Sequence, residues 1–381
     1  MNHRERLLCA LDHKATDRVP LDLGSTFATS INLRAYGELR RQLGLPPESQ
    51  PRVLSLRAAT VIPGEDVLSR FAVDARALLL GSPDGRPDRQ LRPDAYLDEW
   101  GVTWSKPAGG HYINVNGPFQ HLQEPRLGHL DGFPWPDPDD PRRYRGLRER
   151  ARALHEGTDY AVVLNLDLGP VHLAQFTRGF TEWLEDLLLR PAFAEALVER
   201  IVNVWVRIAD RALAEAARFV DVVAFYDDLG SQKAPLMRPQ LYRSLIKPHH
   251  QRMTAAVQRY RKKMVWHSCG SVYQFIPDLI DLGIDALNPV QVSAANMDPP
   301  RLKREFGRHL AFWGAVDTGS VLPWGSVADV RAEVRRRIDQ LGEGGGYVLS
   351  AVHNIQADVP PENVVAMYDA AREISIAASA N

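Results

Sequence analysis

The chain has 381 residues, 45% hydrophobic and 24% charged, with a formal net charge of −1. That balance excludes a protein holding nucleic acid through bulk positive charge, and no apolar run reaches the about eighteen residues that a membrane-spanning helix needs. Two cysteines, Cys9 and Cys269, are too few for a disulfide framework; with a charged N-terminus that lacks a signal-peptide core, they point to the cytoplasm.

In chain order, "HRERLLCALDHK" reads as an amphipathic helix, with Cys9 among Leu7, Leu8 and Leu11 as a buried structural cysteine. "RVPLDLGS" (18–25) and "RALLLG" (76–81) read as strands. Residues 96–117 alternate as a hairpin around Pro107-Ala108-Gly109-Gly110, and 133–143 form a Pro/Asp surface loop. From about residue 158 the pattern becomes regular. "YAVVLNLDLG" (160–169), "DVVAFYDDLG" (221–230), "KMVWHSCG" (263–270), "IDALNPVQ", "LAFWGAVD" (310–317) and "YVLSAVHN" (347–354) read as strands, each followed by an amphipathic helix. Near-continuous apolar strands alternating with helices imply a parallel sheet covered on both faces. The expected fold is therefore α/β, a (β/α)8 TIM-type barrel in one domain. An N-terminal elaboration spans about 1–157 and regular βα repeats span about 158–381. An open, doubly wound sheet is the structural alternative.

A barrel carries its chemistry at the C-terminal strand ends. Polar residues gather there: Asn165 and Asp167, Asp227 and Asp228, His267 and Cys269, Asn288 and Gln291, Asp317, His353 and Asn354. Each has a plain alternative as an Asx turn or helix cap. Two adjacent acids exceed capping needs, so Asp227 and Asp228 are candidate catalytic groups. In an extended chain His267 and Cys269 project to one side, and a neutral imidazole beside a thiolate makes half of a zinc site. Such a pair also arises by chance, so a third ligand is required. His353 supplies it, at the end of the last strand; its rival role is a metal-free general acid or base.

On these motifs the chain resembles the uroporphyrinogen decarboxylase superfamily, and within it the cobalamin-dependent methyltransferase branch. The resemblance rests on "HRERLLCALDHKATDRVPLDLG", "DVVAFYDDLGSQKAPLMRPQLYRSLIKPHH", "HSCGSVYQFIPDLIDLGIDALNPVQ", "FWGAVDT" and "GGGYVLSAVHNIQADVPPENVVAMYDA", which together span nearly the whole chain. It implies a (β/α)8 barrel. The decarboxylases carry an arginine-rich N-terminal signature, whereas "DLGSTFATSIN" has no arginine before Arg34. This departure speaks against a substrate with many carboxylates. The methyltransferases place His-x-Cys after a mid-barrel strand and a cysteine near the last strand, together holding zinc. His267 and Cys269 match the pair, and His353 stands in the third position.

Two imidazoles and one thiolate leave zinc with a formal charge of about +1, a stronger Lewis acid than a two-thiolate site. The implied activity is zinc-dependent methyl transfer between a small methylated, O-linked substrate and a corrinoid, in the demethylase direction. With no Asp-x-His-x-x-Gly motif in the chain, the corrinoid (cobalamin) is expected on a partner protein. Asn165, Tyr226, Asn288, Gln291, Trp313, Asp317 and Asn354 are the expected substrate-binding residues, and Phe27 and Trp324 further aromatic walls. A homodimer is compatible with these features. The alternatives are a metal-free decarboxylase using Asp227 or Asp228 with His353, and a non-catalytic binding barrel.

Overall fold

The β-branched and aromatic runs form the strands anticipated for them, because such side chains pack well on a pleated, covered surface. In the computed structural model, which describes residues 1–82 and 88–379 without the side chains of Asp167 and 375–379, seven strands lie side by side. They are β1 (Ala75–Leu79), β2 (Ala161–Leu168), β3 (Val222–Tyr226), β4 (Lys263–His267), β5 (Ala286–Asn288), β6 (Ala311–Val316) and β7 (Tyr347–Ala351). All are parallel and neighbours follow chain order. The expected strand at 18–25 reduces to one bridge, Leu21 to Leu349. It still closes the ring: the Asp22 N–H donates to Leu349 O (3.0 Å) and the Asp74 N–H to Leu21 O (2.8 Å). Pro20 brings no N–H to that ladder. The fold is an α/β TIM-type barrel.

Period-two alternation sorts the strand residues. Val163, Val222, Ala224, Val265, Ala286, Ala311 and Val348 point inward. Leu164, Val223, Phe225, Trp266, Leu287, Phe312 and Leu349 point outward, against the helices. Small residues suit the narrow interior, whereas large ones fill the wider helix–sheet layer, each burial contributing about 1.5–3 kcal/mol. The long outer helix Pro191–Ala216 presents Leu197, Ile201, Trp205, Ile208 and Ala212 to that layer at three- and four-residue spacing.

The N-terminal helix α1 (His3–Leu11), started by an Asn2/Glu5 capping box, plugs the bottom of the barrel with Leu7 and Leu11. Cys9, on the same helix, is half-buried rather than buried. Asp74, one residue before β1, locks the plug. Its carboxylate accepts from Arg6 (2.7 Å), Arg18 (2.7 and 2.8 Å), His3 Nδ1 (2.8 Å) and the Leu21 N–H (2.7 Å).

The elaboration builds two antiparallel sheets. One joins Ile31–Asn32, Thr60–Ile62 and Arg52–Ser55; the other runs Arg89–Arg92, Ala95–Leu97, Thr103–Ser105, Ile113–Asn116. The expected hairpin around 107–110 is the last pair of this second sheet. Residues 133–140 form no regular element, and 141–143 make one short helical turn. Among the described residues no helix is long and apolar enough to cross a membrane.

Candidate metal centre

Above the small residues, the inward register ends in a polar layer: Asn165, Tyr226, His267 and Asn288. His267 Nδ1 donates to Asn288 Oδ1 at 2.6 Å, and Asn288 Nδ2 donates to Trp313 O at 3.3 Å. This chain fixes the tautomer and aims the free Nε2 lone pair out of the layer, as a second-shell partner does for a metal-binding histidine. Cys269 Sγ lies 3.4 Å from that Nε2. His353 arrives from beyond β7, its ring 5.3 Å from the His267 ring. The ligand atoms of His267, Cys269 and His353 all lie within 4.8 Å of one another. Gly270, at φ +85°, turns the chain behind Cys269, and a Cβ there would meet Gly230 C at 2.6 Å; only glycine fits.

The electrostatics leave these donors neutral without a cation. Burial lowers the pKa of His267 against a smaller opposing effect of Asp228. Burial and the neighbouring His267 push His353 down to about 4. Burial, and then Asp228, raise the Cys269 thiol well above its ordinary value. Two neutral imidazoles and a thiol that releases its proton to solvent as a dication binds fit zinc.

The two adjacent acids separate. Asp227 is fully buried and off the cavity wall: its oxygens accept from the Val171 N–H (3.0 Å), the His172 N–H (2.8 Å) and His250 Nε2 (2.8 Å). It caps helix α2 (Pro170–Arg178) from outside the helix. A Cβ on Gly169 would sit 2.5 Å from Asp227 Cγ, so this approach needs glycine. Asp227 thus stands off the cavity wall with three protein donors on its carboxylate, an arrangement that positions the start of α2. Asp228 does face the cavity. Its Oδ1 accepts the Cys269 N–H at 2.6 Å and stands 4.0 Å from His267 Nε2, and its Oδ2 faces His172 Nε2 at 3.3 Å. Burial opposes its charge, but His172 outweighs burial and holds the carboxyl well below the usual range. Burial likewise opposes charge on His172, yet Asp228 and Asp227 lift its pKa to about 10. The Asp228 amide, 3.2 Å from His172 Nδ1, is the contact that favours the neutral ring.

A cavity of about 550 Å³ opens over these groups, lined by His267, His353, Asp228, His172, Tyr226 and Asn354 at its base. Phe27, Phe176, Tyr96, Trp104, Tyr112 and Arg57 line it as well, mostly from the elaboration. Tyr226 donates its hydroxyl to Asn165 Oδ1 and accepts the Phe27 N–H at 3.0 Å; Asn354 holds Phe27 O at 3.0 Å. Asn165 and Asn354 thus pin the loop that presents Phe27.

Other expected substrate contacts fall elsewhere. Trp313 is fully buried in the barrel and donates to Asp22 Oδ2 (3.0 Å). Asp317 caps the turn at Gly319–Val321 (3.0–3.2 Å), the plain alternative for a strand-end acid. Gln291 accepts the Gly270 N–H at 2.7 Å and so braces the Cys269 turn, and Asn288 acts through His267. None of these four lines the cavity. Trp324 is 75% exposed and does not line the cavity. Sequence reading missed His172 and Arg57. His172 follows the strand end at Gly169-Pro170, a position that could have drawn notice; Arg57 had no such signal.

A family model described as uroporphyrinogen decarboxylase (URO-D) matches residues 126–374. A curated uroporphyrinogen decarboxylase of Methylococcus capsulatus is 25% identical over 188 residues, 49% of this chain and 50% of its own length, so the chain spans half of that relative. A solved methyltransferase from Methanosarcina mazei is similar in fold, with a TM-score of 0.67 at 20% identity, covering 98% of this chain and 99% of that one.

Proposed function

The chain belongs to the uroporphyrinogen decarboxylase family, and from that premise we propose that it is a zinc-dependent methyltransferase. It moves a methyl group from a small O-methylated substrate to a corrinoid carried by a separate protein. The observation that carries this reading is the convergence of His267, Cys269 and His353 within 4.8 Å, with His267 and His353 on the cavity wall. Decarboxylation of a many-carboxylate substrate is less well supported. Among the described residues the wall holds a single arginine, Arg57, and no lysine, and Arg34 is on the surface beside Glu38.

Bound zinc would supply Lewis-acid polarisation of the oxygen that loses its methyl group, and a Co(I) corrinoid would take that group. The protein's own residues do the rest. Asn288 holds the His267 ring in its ligating tautomer. The aromatic wall excludes water and strengthens every charge interaction inside. The departing oxygen, left with its bonding pair, needs a proton, and His172 beside Asp228 is placed at the wall to give one. Asp228 and Asp227 favour its protonated form, the state from which a general acid starts.

The test mixes zinc-loaded protein with a methoxylated arene and free cob(I)alamin and follows the visible spectrum of the corrinoid. Conversion to the methylated form should require protein, substrate and zinc, and should vanish in Cys269→Ala. Demethylation at full rate without any corrinoid would refute the mechanism.

A further inference from the structure

Two fully buried residues, His250 and Tyr242, stand behind Asp227 and do not line the cavity. His250 Nε2 reaches Asp227 Oδ2 at 2.8 Å, and its Nδ1 meets the Tyr242 hydroxyl at 3.1 Å. Trp266 meets the His250 ring edge-on at 4.6 Å and Phe275 meets the Tyr242 ring edge-on at 4.9 Å, so both rings are held in place. The pair depends on a break in helix geometry. Eight residues apart in a regular α-helix, the two would stand roughly 80° out of phase. Tyr242–Ile246 instead form a π turn, directly before the α-helical Lys247–Gln258, and the wider turn brings them onto one face. Pro248 gives the cause: it has no N–H for the Ser244 carbonyl, and its ring crowds that oxygen.

The hydrogen bonds run in one direction. An ionised Asp227 can only accept, so His250 donates to it from Nε2. His250 Nδ1 then accepts the Tyr242 O–H, which has no other partner among the described residues. A proton on Nδ1 would leave that buried O–H without an acceptor. Tyr242 thereby selects the Nε2–H tautomer. Burial, and then Asp278 and Asp227, push the Tyr242 phenol well above its ordinary value, so it keeps the proton it donates. On the other side of Asp227, His172 Nδ1 lies between two competitors. The Asp228 N–H at 3.2 Å suits a bare nitrogen, and Asp227 Oδ1 at 3.5 Å suits a protonated one. With the two so close in length, the direction in which Asp227 points decides the state of the ring. Its Oδ1 is held by the His172 amide, and its Oδ2 by the Val171 amide and His250. We infer that His250 is a positioning residue for His172: oriented by Tyr242, it holds Asp227 against the ring and keeps His172 in the protonated state from which it gives its proton. This rests on the preceding reading of His172 as the proton donor.

Nuclear magnetic resonance of the full chain, its histidines labelled with nitrogen-15, reads the rings without substrate or corrinoid. The signals of His172 and His250 are those that vanish in His172→Gln and His250→Gln. Near neutral pH, wild type should show His250 with one protonated ring nitrogen and His172 with two. His250→Leu frees the carboxylate to turn, and the His172 signal should move toward the singly protonated pattern. In the methyl-transfer assay the same variant should lose about tenfold or more in kcat while KM stays within about twofold. His250→Gln keeps an N–H for Asp227 and should restore the His172 signal and most of the rate. Tyr242→Phe keeps the ring packing; it should mix the His250 tautomers and shift His172 in the same direction, and it decides the matter where His250→Leu does not fold. Two protons on the His250 ring in wild type, or a His172 signal unaltered in these variants, would overturn the inference. The expected ring signals in a protein that transfers no methyl group would uphold the positioning pair and remove the methyltransferase reading instead.

Discussion

The two ends of the barrel each hold a cluster of charged and polar side chains, and they differ in what is left over. At the bottom, Asp74 is fully buried and every donor that reaches it comes from the protein: Arg6, Arg18, His3 and the Leu21 amide. At the mouth, Asn288 fixes His267 but leaves its Nε2 facing Cys269 and His353, three ligand residues whose donor atoms lie within 4.8 Å of one another. Arg57 nearby has no acceptor among the described residues. A satisfied polar cluster stabilises a fold; convergent groups with unused bonding capacity mark where something else binds.

Breaking each end should therefore give a different phenotype. The largest stability effect belongs to the bottom. Asp74→Asn removes the charge that neutralises Arg6 and Arg18 and should cost about 3–5 kcal/mol in denaturant unfolding, with zinc content unchanged in the protein that remains folded. The same group gives a pH dependence. Burial would raise the Asp74 pKa, but His3 and Arg18 outweigh it and hold the value below the ordinary carboxylate range. A depressed folded-state pKa contributes stability that is complete above the unfolded value near 3.9 and is lost as pH falls through the folded one. Wild type should lose stability on acidification in this window, and Asp74→Asn should show a flatter profile there.

At the mouth the order reverses. His353→Ala should lower zinc affinity by more than about a hundredfold, since it removes a ligand rather than an outer partner, while its unfolding midpoint without metal stays close to wild type. Asn288→Ala should cost less, about 10–100-fold in zinc affinity, because it frees the His267 ring without deleting it. If Asn288→Ala binds zinc as wild type does, the ring is held by its neighbours and the hydrogen bond is incidental. The smallest mouth effect is on Asp227→Asn, which weakens the cap on Val171 and His172 by about 1–2 kcal/mol and should spare zinc.

How much of this was legible follows from where each residue sits. The strands after residue 158 announce themselves because a strand covered on both faces reads as one apolar run, and the metal residues stand at their ends. Leu21 could be placed in a strand-like segment but not as a single bridge, since Pro20 and the neighbouring chains decide that. Asp227 and Asp228 were inseparable in sequence: adjacent residues leave a strand on opposite sides, and only the position of α2 decides which is consumed as a cap. Trp313 alternates into the interior just as His267 does, but its indole is fully buried and bonded to Asp22. The aromatic wall was least legible. Its strands are three or four residues long, too short for periodicity to speak, and Arg57 reaches the cavity only through tertiary placement.

The decisive experiment is elemental analysis of protein purified without chelators, wild type beside Cys269→Ala. The mouth described above should hold about one zinc per chain in wild type and lose it in the variant, with the far-ultraviolet circular dichroism of the two unchanged. Zinc far below one per chain in wild type, or equal zinc in both, would mean that His267, Cys269 and His353 converge for some purpose other than holding a metal.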